Sequence, residues 1–195
     1  MLPDSIPLFP LSTVLCPGGV LPLRIFEPRY VDMVRDCVRN DTGFGVILIT
    51  SGREVGPAAQ TETIGTFSRI TNFDQSDDGL LTIIATGERR FVLRESTVSS
   101  NELRVGKVEY LPEPETTLTP ERFHALVEIL QQMLTGLGPP WSSMKTHYEK
   151  ADWLANRLTE LLPIGNLLKQ AQLEQDDPIQ CLEYFQGILE DTNRH

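Results

Sequence analysis

Between Ile6 and Leu23 the chain runs IPLFPLSTVLCPGGVLPL without one charged side chain. Such a stretch can be a secretion signal, a membrane-spanning helix or folded structure. Its length approaches the roughly 20 apolar residues that a spanning helix needs. Its prolines argue otherwise. Pro7, Pro10, Pro17 and Pro22 would each remove a backbone donor, and an interior proline destabilises a helix by about 3 kcal/mol. Gly18 and Gly19 weaken a helix further. A signal peptide opens with a positive region, but the only charge ahead of this stretch is Asp4. No A-x-A-like cleavage site follows; the next residues are Arg24, Ile25 and Phe26. The stretch therefore reads as strand, turn, strand: residues 5–9, a turn over Cys16–Gly19, and residues 21–26. Proline is tolerated at strand starts, edges and bulges, which places both strands there.

A second break organises the chain. LPEPETTLT, from Leu111 to Thr119, is a connector of prolines, glutamates and threonines. Ahead of it the apolar pattern has mostly the period of a strand. FEPRYVDMVRDCVRN is the exception, a helix with Tyr30, Val31, Val34, Cys37 and Val38 on its inner face. FGVILIT reads as a buried strand, TETIGTFSRITNF and LLTIIATGERRFVLRE as two strand regions, and LRVGKVEYL as another strand. Gly87 is expected to split the second region in two, and DQSDDG before it has hairpin chemistry at Asp78-Gly79. After the connector the period is 3.6. Thr119 is placed as an N-cap with Pro120 in the first turn, Gly136 as a C-terminal cap, Pro163 as a stop and Asp177 as the cap of a last helix. The expected fold class is α+β. A β-rich lobe over residues 1–112, with about six or seven barrel-like strands and one helix, precedes a helical bundle over 113–195 packed against it. The cleft between the two is the default place for a site.

Charge and motifs then narrow the function. The net charge is −10, split as −3 over residues 1–112 and −7 over residues 113–195, so neither nucleic acid nor a membrane is expected as a partner. Cys16, Cys37 and Cys181 lie far apart without a C-x-x-C pair, which fits a reducing, cytoplasmic setting. No phosphate-binding G-x-x-x-x-G-K-[ST] and no G-x-S-x-G occurs. His124, His147 and His195 have no metal-ligand spacing, and His195, the last residue, is expected to be disordered. Asp74, Asp77 and Asp78 lack the spacing of a calcium loop and read as a solvated hairpin tip. No cofactor, no metal and no catalytic residue is expected.

IPLFPLSTVLCPGGVLPLRIFEPRYVDMV resembles the opening of the N-terminal substrate-recognition domain of Lon proteases. That family begins P-L-F-P-L, continues through P-G-x-x-L-P-L and enters a helix at F-E-x-x-Y. The matching positions are Pro7–Leu11, Pro17, Gly18, Leu21–Leu23, Phe26, Glu27 and Tyr30. IGTFSRI, DGLLTIIATGERRF and LPIGNLLKQAQLEQDDP carry the resemblance, in order, across nearly all of the chain. Lon proteases continue into an ATPase module and a Ser–Lys peptidase domain, and cereblon carries a similar domain followed by a zinc-bearing one. Neither continuation occurs in these 195 residues, so the resemblance implies a freestanding Lon-domain protein. It implies a small β-barrel-like sheet with a helix, then a helical bundle, and recognition of unfolded or extended protein segments. A docking subunit for a separate protease or chaperone is one alternative; a hydrolase of unrecognised mechanism is another.

Several residues invite a recognition role, each beside a purely structural one. Glu27, Arg29 and Tyr30 could form a contact corner, or simply start a helix with Glu27 at its positive end and Tyr30 packed inward; Phe26 beside them is a further candidate for contact with an extended peptide. Cys16, Gly18 and Gly19 could form a mobile contact loop, or a turn that needs positive φ. Trp141 follows GPP in a loop, as a contact anchor or as packing over the bundle end, and Trp153 reads as core. Arg89 and Arg90 alternate along a strand and read as a solvated edge.

Overall fold

The computed structural model describes residues 2–56, 59–75 and 80–192. The hairpin-tip positions Asp77, Asp78 and Gly79, and His195, lie outside these. Two compact units appear, Met1–Pro112 and Glu113–His195. Among the described residues, the first holds six strands and one helix: β1 Ser5–Leu11, β2 Val20–Ile25, α1 Pro28–Asn40, β3 Gly43–Ser51, β4 Gln60–Gln75, β5 Leu81–Val98 and β6 Arg104–Tyr110.

The sheet order is β2-β5-β4-β3-β1-β6, and β6 also pairs with β5. β1 and β3 are parallel; the other pairings are antiparallel. β5 can serve three partners because it is long. Its first half meets β2 from Leu81 to Thr86, and its second half meets β6 from Phe91 to Val98. Gly87 does not divide this strand, contrary to expectation. The β4–β5 register shifts between Phe67 and Ser68, so the extra residue is absorbed as a bulge. The reason for a glycine is close approach: a Cβ there would overlap the Cys16 carbonyl oxygen.

Two apolar clusters fill this unit. One joins α1 to the sheet through Phe9, Ile25, Tyr30, Met33, Val34, Cys37 and Ile83. The other gathers Ile6, Leu8, Ile47, Phe67, Phe91 and Val108. The inner face of α1 differs from the expected stripe. Arg29 and Met33 are buried while Val38 is exposed. Arg90 is also buried rather than solvated, so the alternation of Arg89 and Arg90 places one of them inward.

In the second unit, α2 His124–Leu137, α3 Ala151–Leu161, α4 Asn166–Glu174 and α5 Pro178–Thr192 follow a short 3-10 turn over Glu121–Phe123. Leu126, Leu130, Trp153, Leu154, Leu158, Leu182 and Phe185 form its core. Asp177 caps α5 by accepting from the Ile179 N–H at 2.8 Å. Two other caps fall elsewhere. The Thr119 hydroxyl donates to the Tyr148 carbonyl, so it caps nothing, and α2 ends at Gly138, with φ 68°, rather than at Gly136. None of the described helices is long and apolar enough to cross a membrane.

Candidate functional site

The site starts at the junction of β2 and α1. Pro28 begins the helix, and the residue ahead of a proline is held extended; Glu27 accordingly has φ −73° and ψ 130°. Strand alternation has just turned Ile25 inward, so Phe26 faces out and is 62% exposed. Beneath it lies a groove of about 180 Å³. Phe9, Leu11, Ile25 and Tyr30, all buried, make its floor. The Phe9 and Tyr30 rings stack at 4.2 Å, which fixes that floor. Leu23 and the half-exposed Val55 form the walls, and Arg24, Glu27 and Glu54 bring charge to the rim.

The groove is apolar at its floor and charged at its rim. Among the described residues, its titratable side chains are Arg24, Glu27, Tyr30 and Glu54, and no serine, cysteine or histidine lines it. Burial is the main cause that pushes the Tyr30 hydroxyl above its ordinary pKa, opposed by Arg29 and reinforced by Glu27. The phenol stays neutral near pH 7.

The expected site residues separate in the structure. Phe26 and Tyr30 come together, one as an exposed wall and one as floor. Arg29 is buried and its guanidinium binds Glu27 at 2.6 Å, so it makes no open contact corner. Glu27 makes no side-chain cap to the helix; its carboxylate is used by Arg29 instead. Cys16 is fully buried. Gly18 has φ 74°, and the turn is tied to β5: Gly18 N–H donates to the Gly87 carbonyl at 2.8 Å, and Gly87 N–H to the Gly19 carbonyl at 2.9 Å. Trp141 packs partly buried against the core of the second unit, as does the buried Trp153 within it.

Sequence reasoning missed Val55 and Leu23. It also missed a second concavity of about 280 Å³, bordered by Val31, Val34, Val38, Phe73 and Leu81 with Arg35 and Arg39. Phe73 opposes the buried Ile83 across β4 and β5, which turns it to the α1 face. The alternation of TNFDQ carried that signal. Val38 hid because it fits a helical stripe that the sheet does not fully cover.

The family model that describes the ATP-dependent protease La (LON) substrate-binding domain matches residues 5–191. The chain belongs to the Lon substrate-binding domain family. A Lon N-terminal domain protein from Xanthomonas campestris superimposes with a TM-score of 0.76 at 36% identity, covering 94% of this chain and 97% of that one. The N-terminal domain of Mycobacterium avium complex Lon protease shares the fold at TM-score 0.60 and 17% identity, over 92% and 95%. Lon protease of Parabacteroides distasonis is 30% identical over 132 residues, which is 67% of this chain but 16% of that protein. Cereblon of Gallus gallus is 32% identical over 112 residues, 55% of this chain and 24% of that one. The Lon-type domain thus spans only a small part of the curated relatives it matches.

Proposed function

We propose that this Lon-type domain is a non-catalytic recognition module that holds extended, apolar segments of other proteins in the groove beside Phe26. One observation carries the reading: Phe26 and Val55 stand 62% and 51% exposed over a buried apolar floor. Exposed apolar side chains grouped on a concave surface mark contact sites more often than scattered ones do. The family's substrate-binding description supports the same reading. Cys16, Cys37 and Cys181 are buried and far apart in sequence, which supports a reducing cytoplasmic setting. The pairing of β6 with both β1 and β5 supports a barrel-like closure of the sheet.

Binding of this kind is generic, so an affinity of about micromolar is expected. The direct test is titration with reduced, alkylated α-lactalbumin as an unfolded probe. Phe26→Ser should weaken binding, and equal affinity for wild type and variant would remove Phe26 from the site. Protease and ATPase assays of the purified protein should stay at background. Peptide cleavage that survives repurification and disappears on a single substitution would overturn the non-catalytic reading.

A further inference from the structure

We infer that Glu27 and Arg29 form a buried latch that positions the wall of the recognition groove, so that Arg29 is a positioning residue and not a contact residue. This rests on the groove beside Phe26 being the recognition site.

The latch is built around one residue of the loop between β3 and β4. The Gly56 N–H donates to Glu27 Oε1 at 3.2 Å, and Arg29 Nη2 donates to the Gly56 carbonyl at 2.8 Å. The two side chains join at 2.6 Å between Arg29 Nη2 and Glu27 Oε2. Both backbone polar groups of Gly56 are therefore held by one ion pair. Arg29 Nη1 also donates to the Glu102 carbonyl at 3.3 Å, which ties the pair to the turn between β5 and β6. Val55, next to Gly56, lines the same groove as Phe26. Phe26 in turn precedes Glu27 directly. The same two side chains thus set where both exposed apolar residues stand.

Two features argue that the pair serves position more than stability. Arg29 Nε is buried without a hydrogen-bond partner among the described residues, which subtracts from whatever stability the pair contributes. A buried ion pair is in general weak support for stability, because desolvation opposes the attraction, and matched apolar residues often replace it without loss. The loop is otherwise tied near its start, where Glu54 accepts the Ser12 N–H. Gly56 has φ 94°, a backbone conformation that suits glycine.

The double variant Glu27→Met/Arg29→Met removes both charges together and leaves no buried charge unpaired. It is compared with wild type by amide hydrogen exchange and by titration with reduced, alkylated α-lactalbumin. Exchange at Val55 and Gly56 should rise about tenfold while Val46–Leu48 keep their protection. Affinity for the probe should fall about tenfold. Unchanged exchange at Val55 and Gly56 overturns the latch, and so does faster exchange with unchanged affinity. If the double variant loses its cooperative melt, Gly56→Ala decides. It leaves the pair in place and strains the gripped backbone, and it should show the same two changes, whose absence overturns the latch. A wild-type protein that does not bind the probe defeats the recognition reading instead, and the exchange comparison then upholds or overturns the hold on the loop by itself.

Discussion

The Cys16–Gly19 turn and the Phe26–Tyr30 corner lie at opposite ends of β2, and both look like recognition loops in sequence. The structure separates them. In the turn, the Gly18 N–H and the Gly19 carbonyl are engaged by Gly87, the Gly19 N–H donates to the Cys16 carbonyl, and Cys16 is fully buried. In the corner, polar groups are engaged below the surface while an aromatic ring is left outside. Glycine and proline signal the backbone shape of a loop. They do not say whether its groups are free.

The largest expected effect tests the turn. Gly87→Ala places a Cβ against the Cys16 carbonyl oxygen. It should lower stability by about 3 kcal/mol, the scale of a forced backbone clash, read by chemical denaturation. A loss within about 0.5 kcal/mol, the range of surface substitutions, would mean that the turn yields easily and is not fixed to β5.

Phe26→Ser probes the corner. Probe affinity should fall about tenfold, or 1.4 kcal/mol. Stability should move by no more than about 0.5 kcal/mol, because the ring is exposed. A large drop in melting temperature would instead give Phe26 a packing role.

Alkali probes the floor of the same corner. Burial first, then Glu27, raises the Tyr30 pKa above its ordinary 10.0, against the pull of Arg29. A raised folded value means that the contribution of Tyr30 is fully present below pH 10.0 and is lost as pH climbs past it. Probe binding should hold up to that point and weaken above it, while global stability starts to fall earlier, above pH 9.0, as the buried Cys37 and Cys181 thiols, also raised by burial, begin to lose their contribution. Tyr30→Phe removes the titrating hydroxyl and should flatten this part of the profile. A variant with an unchanged alkaline profile would show that another group governs it.

How much of this was legible depended on whether one segment decided the feature. The strands, the helix at FEPRY and the cap at Asp177 follow from local pattern and turn chemistry. Gly87 was misread because its reason is a contact with a segment some 70 residues earlier. Val38 fits a helical stripe, and only the extent of the sheet under α1 leaves it exposed. Arg29 looked like a surface charge, since its partners Gly56 and Glu102 are brought near by strand pairing and not by sequence. Phe26 was legible as a candidate because it is an apolar residue at the end of a strand, directly ahead of the helix start at Glu27-Pro28. Val55 was not, because nothing local says that its loop folds toward β2.

The smallest expected effect concerns the second concavity. Phe73→Ser removes an exposed ring from its wall. If recognition belongs to the Phe26 groove, probe affinity should change less than about twofold, well under the 1.4 kcal/mol of a tenfold shift. A loss equal to that of Phe26→Ser would move the site across α1 or extend it over both concavities.

The most direct measurement is an amide NMR titration of the wild-type protein with reduced, alkylated α-lactalbumin. The account predicts saturable shifts at Leu23, Ile25, Phe26 and Glu27, with Glu54, Val55 and Gly56 responding together, while Cys16–Gly19 stay still. Shifts confined to the helices from His124 to Thr192, or centred on the Cys16–Gly19 turn with Phe26 and Val55 silent, would contradict it.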